Sequence, residues 1–154
     1  MIRALVDKIS QAVQATDGQE NETREDVLRL CTAVLMVEVA RADYDFDESE
    51  FDLLLELIKV HFGLSAEDAT QLANEAAEVA EDSVSLHEFT QRLHKHLSER
   101  EKAEVVSLLW QVAYADGSLD KFEDSIVLKI SDLLYVSRGK VMQLKHDAEV
   151  AKSA

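Results

Sequence analysis

The segment Ala40–Glu50, ARADYDFDESE, is repeated later in the chain as Ala113–Glu123, AYADGSLDKFE. Residues 33–62 align with residues 106–135 without a gap, and eight of the thirty positions are identical. Three of the identical pairs are acidic: Asp43/Asp116, Asp47/Asp120 and Glu50/Glu123. Apolar residues at helical spacing precede and follow both acidic segments. The sequence therefore predicts a helix–acidic loop–helix unit that occurs twice.

The repeat extends beyond these paired helices. Residues 64–72, LSAEDATQL, resemble residues 136–144, VSRGKVMQL, at an offset of 72 instead of 73. We attribute the change of offset to Gly63, which has no counterpart in the second copy under this alignment. Residues 33–72 and 106–144 are thus predicted to be two similar three-helix units, related by a pseudo-two-fold axis.

The composition favours an all-α fold. The chain of 154 residues has no proline and four glycines, the two residue types that helix interiors exclude. The apolar periodicity predicts about eight helices in one compact domain, the first at residues 2–15. Residues 1–21 are assigned to this N-terminal helix and a linker, and residues 22–154 to the helical domain that contains the repeat.

The charge of the chain limits its partners. The net charge is −15, from 31 acidic and 16 basic residues, and such a surface repels nucleic acid and anionic lipid. It suits cations or a basic protein partner, and a homodimer is the other candidate assembly. Cys31 is the only cysteine, which indicates a reducing compartment. Uncharged stretches such as Leu30–Val37 are too short for membrane insertion, so we expect a cytoplasmic protein.

The two acidic loops are candidate metal sites. Calcium, magnesium and manganese prefer several converging carboxylate and carbonyl oxygens. The loops offer seven carboxylates for this purpose: Asp43, Asp45, Asp47, Glu50, Asp116, Asp120 and Glu123. The spacing is not that of an EF-hand, because the position of its bidentate glutamate falls on Leu54. The second loop is the weaker candidate, since Ser118 replaces Asp45.

Helix capping is the competing interpretation of these carboxylates. Asp47 with Glu50, and Asp120 with Glu123, have the spacing of a capping box, in which the aspartate accepts from the backbone amide of the glutamate. Capping does not account for Asp43, Asp45 and Asp116, which lie near a helix C-terminus where negative charge is unfavourable. Both interpretations therefore stay open at the level of the sequence. If the loops do bind cations, the sequence slightly favours two separate sites, because only Arg41 and Lys121 are available nearby to relieve a combined cluster.

An Ala–Asp–Gly motif, followed by Asp and Glu at the start of the next helix and duplicated in an acidic helical domain, resembles the TerB-like tellurite-resistance family. The resemblance covers about residues 22–150. It implies an all-α fold, a cytoplasmic stress-associated role, and metal binding or scaffolding. The positions that match the motif are Asp43, Asp47, Glu50, Asp116, Asp120 and Glu123. Tyr44 departs from it, whereas Gly117 keeps the glycine.

We therefore expect a non-enzymatic domain that binds a divalent cation, interacts with a protein partner, or does both. A metal-dependent hydrolase that uses the acidic loops is an alternative, as is a metal-independent acidic scaffold for a basic partner. The sequence contains no recognisable nucleophile and no other cofactor motif. His87, His94 and His96 lack the spacing of a zinc site and are interpreted as a solvated basic patch.

Overall fold

The computed structural model describes residues 20–42, 48–82, 85–115 and 119–153. These ranges contain seven α-helices and no β-strand, which confirms the all-α fold. The helices are α1 (Glu20–Ala40), α2 (Glu48–Phe62), α3 (Ala66–Asp82), α4 (His87–His96), α5 (Glu99–Ala113), α6 (Lys121–Leu133) and α7 (Arg138–Ser153). The helix predicted at residues 2–15 lies outside the described residues, and the boundary after residue 21 stays a prediction. None of the seven helices is both long and apolar enough for a membrane span.

Helix α1 forms the centre of the core. Its side chains from Cys31 to Val37 are almost completely buried, in agreement with an apolar pattern that nearly surrounds the helix. It contacts α3, α4 and α5 on different sides. The alanines of α3 allow close approach to α1, because Ala69, Ala73 and Ala76 are buried and carry no side chain beyond Cβ.

Helix α5 packs against α7 in the second half of the chain. Trp110 is fully buried, and its indole N–H donates to the carbonyl of Val141 at 3.2 Å. The ammonium of Lys145, also on α7, lies 5.4 Å from the centre of the Trp110 ring. These contacts fix the last helix against the side of α5 that faces the core.

The C-terminal ends of α1 and α5 have the same pattern of backbone hydrogen bonds. The amide of Ala42 donates to the carbonyl of Val39 at 3.2 Å, and the amide of Ala115 donates to Val112 at 3.2 Å. One residue earlier, the amides of Arg41 and Tyr114 each bond to the carbonyl four residues before them. Both helices thus end with one tightened turn at positions that differ by 73, the offset of the sequence repeat.

The ends of α2 and α6 correspond at an offset of 72. Gly63 has a left-handed φ of 64°, and the next amide, of Leu64, donates to Lys59 at 3.0 Å. Tyr135 has a φ of 62°, and the amide of Val136 donates to Ser131 at 3.1 Å. Both are C-caps of the Schellman type. Tyr135 is therefore the counterpart of Gly63, and our assumption that Gly63 has none was wrong.

The following helices also start alike. The hydroxyl of Ser65 accepts from the amide of Asp68 at 3.1 Å, and the hydroxyl of Ser137 accepts from Lys140 at 3.3 Å. These positions again differ by 72. The change of offset consequently lies within the paired helices α2 and α6, before their caps.

Candidate metal centre

The structure describes three of the seven predicted ligands. Glu50 lies in the first turn of α2, Glu123 lies in the first turn of α6, and Asp120 immediately precedes α6. The other four predicted ligands, Asp43, Asp45, Asp47 and Asp116, lie outside the described residues.

Glu50 and Glu123 line the same cavity, although 73 residues separate them in the chain. The cavity has a volume of about 10 Å³. A volume of this size holds about one water molecule or an ion of similar size. Apolar side chains and backbone form the rest of its wall: Ala40, Leu54, Leu57, Val112 and Ala115. The two halves of the repeat thus each contribute one carboxylate to a small space between them.

The two glutamates differ in burial. Glu123 is only 5% exposed, whereas Glu50 is half-buried. Each lies in the first turn of a helix, where the helix dipole stabilises a negative charge. A carboxylate as buried as Glu123 needs hydrogen bonds or opposite charge to stay ionised. The helix start supplies part of this stabilisation.

Asp120 caps helix α6, as the sequence predicts, but the observed bond goes to a different amide. Its carboxylate oxygen Oδ1 accepts from the backbone N–H of Phe122 at 2.7 Å. The predicted donor was the N–H of Glu123, one residue later. Both donors are usual for an N-cap aspartate, and the extended backbone of Asp120, with φ −82° and ψ 147°, directs its short side chain to the nearer one.

The slight preference for two separate sites stays a prediction, although Glu50 and Glu123 line one cavity. That preference assumed that only Arg41 and Lys121 could balance a combined cluster. Helix α7 supplies two more cations: Lys152 Nζ donates to the carbonyl of Ala115 at 2.9 Å, and Lys145 Nζ donates to Asp124 at 2.7 Å. Lys145 and Lys152 are seven residues apart and so share one face of α7. This spacing was visible in the sequence, but its proximity to the second loop was not.

The described residues alone do not form a complete metal site. Within the described ranges, no group of three or more His, Cys, Asp or Glu side chains is arranged to hold a metal ion. A cation at the cavity would therefore need ligands from the loop aspartates besides Glu50 and Glu123. The histidines on α4 do not form a zinc set there, and His94 Nδ1 instead lies 2.6 Å from the ammonium of Lys102.

A comparison with family models supports the resemblance drawn from the sequence. The model described as tellurite resistance protein TerB matches residues 29–146, which is more than half of the chain. The matched region includes both acidic loops and both glutamates of the cavity. No curated protein and no solved structure matches the chain.

Proposed function

The chain belongs to the tellurite resistance protein TerB family, and from this premise we propose that it is a non-enzymatic domain that binds a divalent cation between its two acidic loops. Glu50 and Glu123 contribute one carboxylate from each half. Asp43, Asp45, Asp47, Asp116 and Asp120 are the further candidate ligands. We place the protein in the cytoplasm, in a stress response of the tellurite-resistance type.

The observation that carries this proposal is the shared cavity of Glu50 and Glu123. Two ionised carboxylates that line one small space repel each other, and any two unit charges about 4 Å apart in a medium of effective dielectric 20 repel by roughly 4 kcal/mol. A cation between them replaces the repulsion by attraction. Because Glu123 is also shielded from water, the attraction would be weakly screened by salt.

The donor set favours hard cations. All seven candidate ligands offer carboxylate oxygens. Calcium binds six to eight oxygens and magnesium binds six, at distances of about 2.0–2.6 Å. Manganese prefers similar ligands. Zinc and copper are less suited, because the candidate set contains no thiolate or imidazole.

Isothermal titration calorimetry of the metal-free protein with calcium, magnesium and manganese tests the proposal. We expect binding of at least one of these ions, with an affinity that Glu123→Gln reduces about tenfold or more. The substitution keeps the shape of the side chain and removes its charge. Glu78→Gln is the matched control, since Glu78 is an exposed carboxylate on α3, and it should leave the affinity unchanged. No heat of binding for any of the three ions would refute the proposal.

The cavity also bears on the hydrolase alternative. A two-metal hydrolase needs ions about 3.5–4 Å apart and space for a substrate beside them. A cavity of about 10 Å³ has room for about one small ion and not for two. This supports a binding role over a catalytic one, and release of nitrophenol from p-nitrophenyl phosphate in the presence of manganese would argue for the hydrolase.

A further inference from the structure

A large groove lies beside the start of α6, next to the small cavity. Phe122 lines the groove, and the following residue, Glu123, lines the cavity. The groove has a volume of about 710 Å³, which is within the range of ligand-binding pockets. Its wall comes from the end of α1, the end of α3 and the outer face of α6, with Leu86 between α3 and α4.

The internal repeat shows what occupies the corresponding place in the other half. Ala42 and Ala80 line the groove. Their counterparts are Ala115, at the offset of 73, and Lys152, at the offset of 72. In the second half the ammonium of Lys152 donates to the carbonyl of Ala115 at 2.9 Å. In the first half the side chain of Ala80 ends at Cβ, so no lysine of α3 reaches Ala42.

The groove also has more carboxylates than the second half has at the same positions. Glu38 and Glu81 line it, whereas their counterparts in the repeat are Gln111 and Ser153. Burial raises the pKa of Glu38, and the nearby Arg41 partly opposes this. A partly desolvated carboxylate gains from a second cation in contact with it. Arg41 and Lys129 also line the groove and leave it with balanced charge.

We propose that this groove binds a lysine side chain of a basic protein partner. The lysine takes the place that Lys152 has in the other half, and its ammonium donates to the carbonyl of Ala42. Glu38 and Glu81 supply the opposite charge. Apolar residues of the partner beside the lysine pack on Leu86, Ile126 and Phe122, of which Phe122 is 50% exposed.

The choice of occupant follows from the chemistry of a lysine side chain and from the net charge of the whole chain. A lysine has a long apolar stem that can lie along Ala80 and Leu86, and a compact ammonium that fits a single carbonyl. A second copy of the chain is a poor partner, because two molecules of net charge −15 repel each other. Among the residues that the structure describes, the groove and the cavity share no lining residue.

Chemical-shift mapping with the ¹⁵N-labelled full chain tests the proposal. The probe is a synthetic amphipathic helical peptide with lysines along its polar face, and the reference is the same peptide with norleucine in place of each lysine. We expect the lysine peptide to shift the amides of Arg41, Ala42, Ala80 and Phe122. The norleucine peptide should bind about tenfold more weakly or not at all.

Ala80→Lys is the decisive variant, because it restores the lysine that the second half has at this position. It should fill the groove from within and weaken peptide binding about tenfold. Asn74→Lys is the matched control: it adds the same charge on an exposed position of the same helix, and binding should be retained. Glu81→Gln, at an exposed position, should weaken binding too, and it serves if Ala80→Lys does not fold.

Three results of the peptide titrations would overturn the proposal. In the first, the wild type, Ala80→Lys and Glu81→Gln bind the lysine peptide equally well. In the second, the wild type binds the lysine and norleucine peptides equally well. In the third, the amides that shift lie away from the groove. Concentration-dependent shifts of the same amides without peptide would also overturn it, since a second copy would then occupy the groove.

Discussion

Tyr135 has a backbone conformation that glycine usually adopts. Its φ of 62° matches the 64° of Gly63 at the equivalent cap, yet its side chain is 72% exposed. A left-handed conformation costs a residue with a Cβ about 1–2 kcal/mol. The tyrosine ring recovers part of this cost by packing on the ring of His94, with 4.5 Å between the ring centres.

Substitutions at the two caps should have opposite effects on the free energy of unfolding. Gly63→Ala should lower it by about 1 kcal/mol through backbone strain alone, because a Cβ at Gly63 meets no atom within 4 Å. Tyr135→Gly should leave it unchanged or raise it by up to about 1 kcal/mol, since relief of strain outweighs the exposed ring contact. Urea unfolding measures both. A large loss with Tyr135→Gly would mean that the ring contact dominates.

Cys31 should make the protein less stable at alkaline pH. Burial is the main cause that raises the pKa of its thiol from 9.0 to about 12. Arg92 lowers this pKa and Glu88 raises it, both to a smaller extent. Between these two values the unfolded chain loses the proton and the folded chain keeps it, so stability falls as pH rises. The slope due to this group is at most about 1.4 kcal/mol per pH unit. Cys31→Ala should flatten the fall in free energy of unfolding between about pH 9 and pH 11, and an unchanged slope would contradict the assignment.

At the scale of the helix, the start of α6 was predicted better than the hydrogen bond that caps it. The Ser98–Glu101 capping box is present, with bonds of 3.1 and 2.9 Å between each side chain and the backbone amide of the other residue. Asp120 is a cap as well, but it bonds to Phe122. Residue type and spacing predict that a helix starts, because few side chains satisfy the free amides. Which amide donates the bond depends on the local backbone angles, and spacing does not determine these.

The two caps provide a test of whether Asp120 is also a metal ligand. Ser98→Ala and Asp120→Ala should each lower the free energy of unfolding by about 0.5–2 kcal/mol without a divalent ion. With saturating cation, the loss for Asp120→Ala should grow, because the variant also loses ligand-linked stabilisation. The loss for Ser98→Ala should stay constant. Thermal unfolding with and without calcium, magnesium or manganese measures the difference, and equal losses in both conditions would leave Asp120 with capping alone.

Within the described ranges, apolar periodicity was sufficient to predict the helices. The candidate metal site could not be predicted in this way, because it depends on how the helices pack against one another. Glu50 and Glu123 could be paired as equivalent residues from the repeat, but their common cavity depends on how α2 and α6 lie against α1 and α5. No local pattern reports such contacts between distant segments. The same holds for Lys152, whose role beside Ala115 follows from the position of α7. The change of offset was placed at Gly63 because the ungapped alignment pairs Tyr135 with Phe62, whereas Tyr135 and Gly63 share one backbone conformation.

For the molecule as a whole, the melting temperature should distinguish screening of the net charge by salt from specific binding of a cation. A net charge of −15 destabilises the compact state through repulsion. Sodium chloride should therefore raise the melting temperature gradually as the ionic strength approaches about 0.15 M. At equal ionic strength, the cation that binds the cavity should raise it further and saturate. Identical curves for sodium and for calcium, magnesium and manganese would show screening alone.

The position of Trp110 gives the protein an intrinsic optical probe. Trp110 is the only tryptophan of the chain and is shielded from water. Its N–H donates to the carbonyl of Val141 on α7, and the ammonium of Lys145, also on α7, lies over its ring. If α7 detaches, the indole meets solvent and its fluorescence emission moves to longer wavelength. Detachment would also withdraw Lys152 from Ala115, at the wall of the cavity. The wavelength of the emission therefore reports, without any label, whether the last helix is packed against α5.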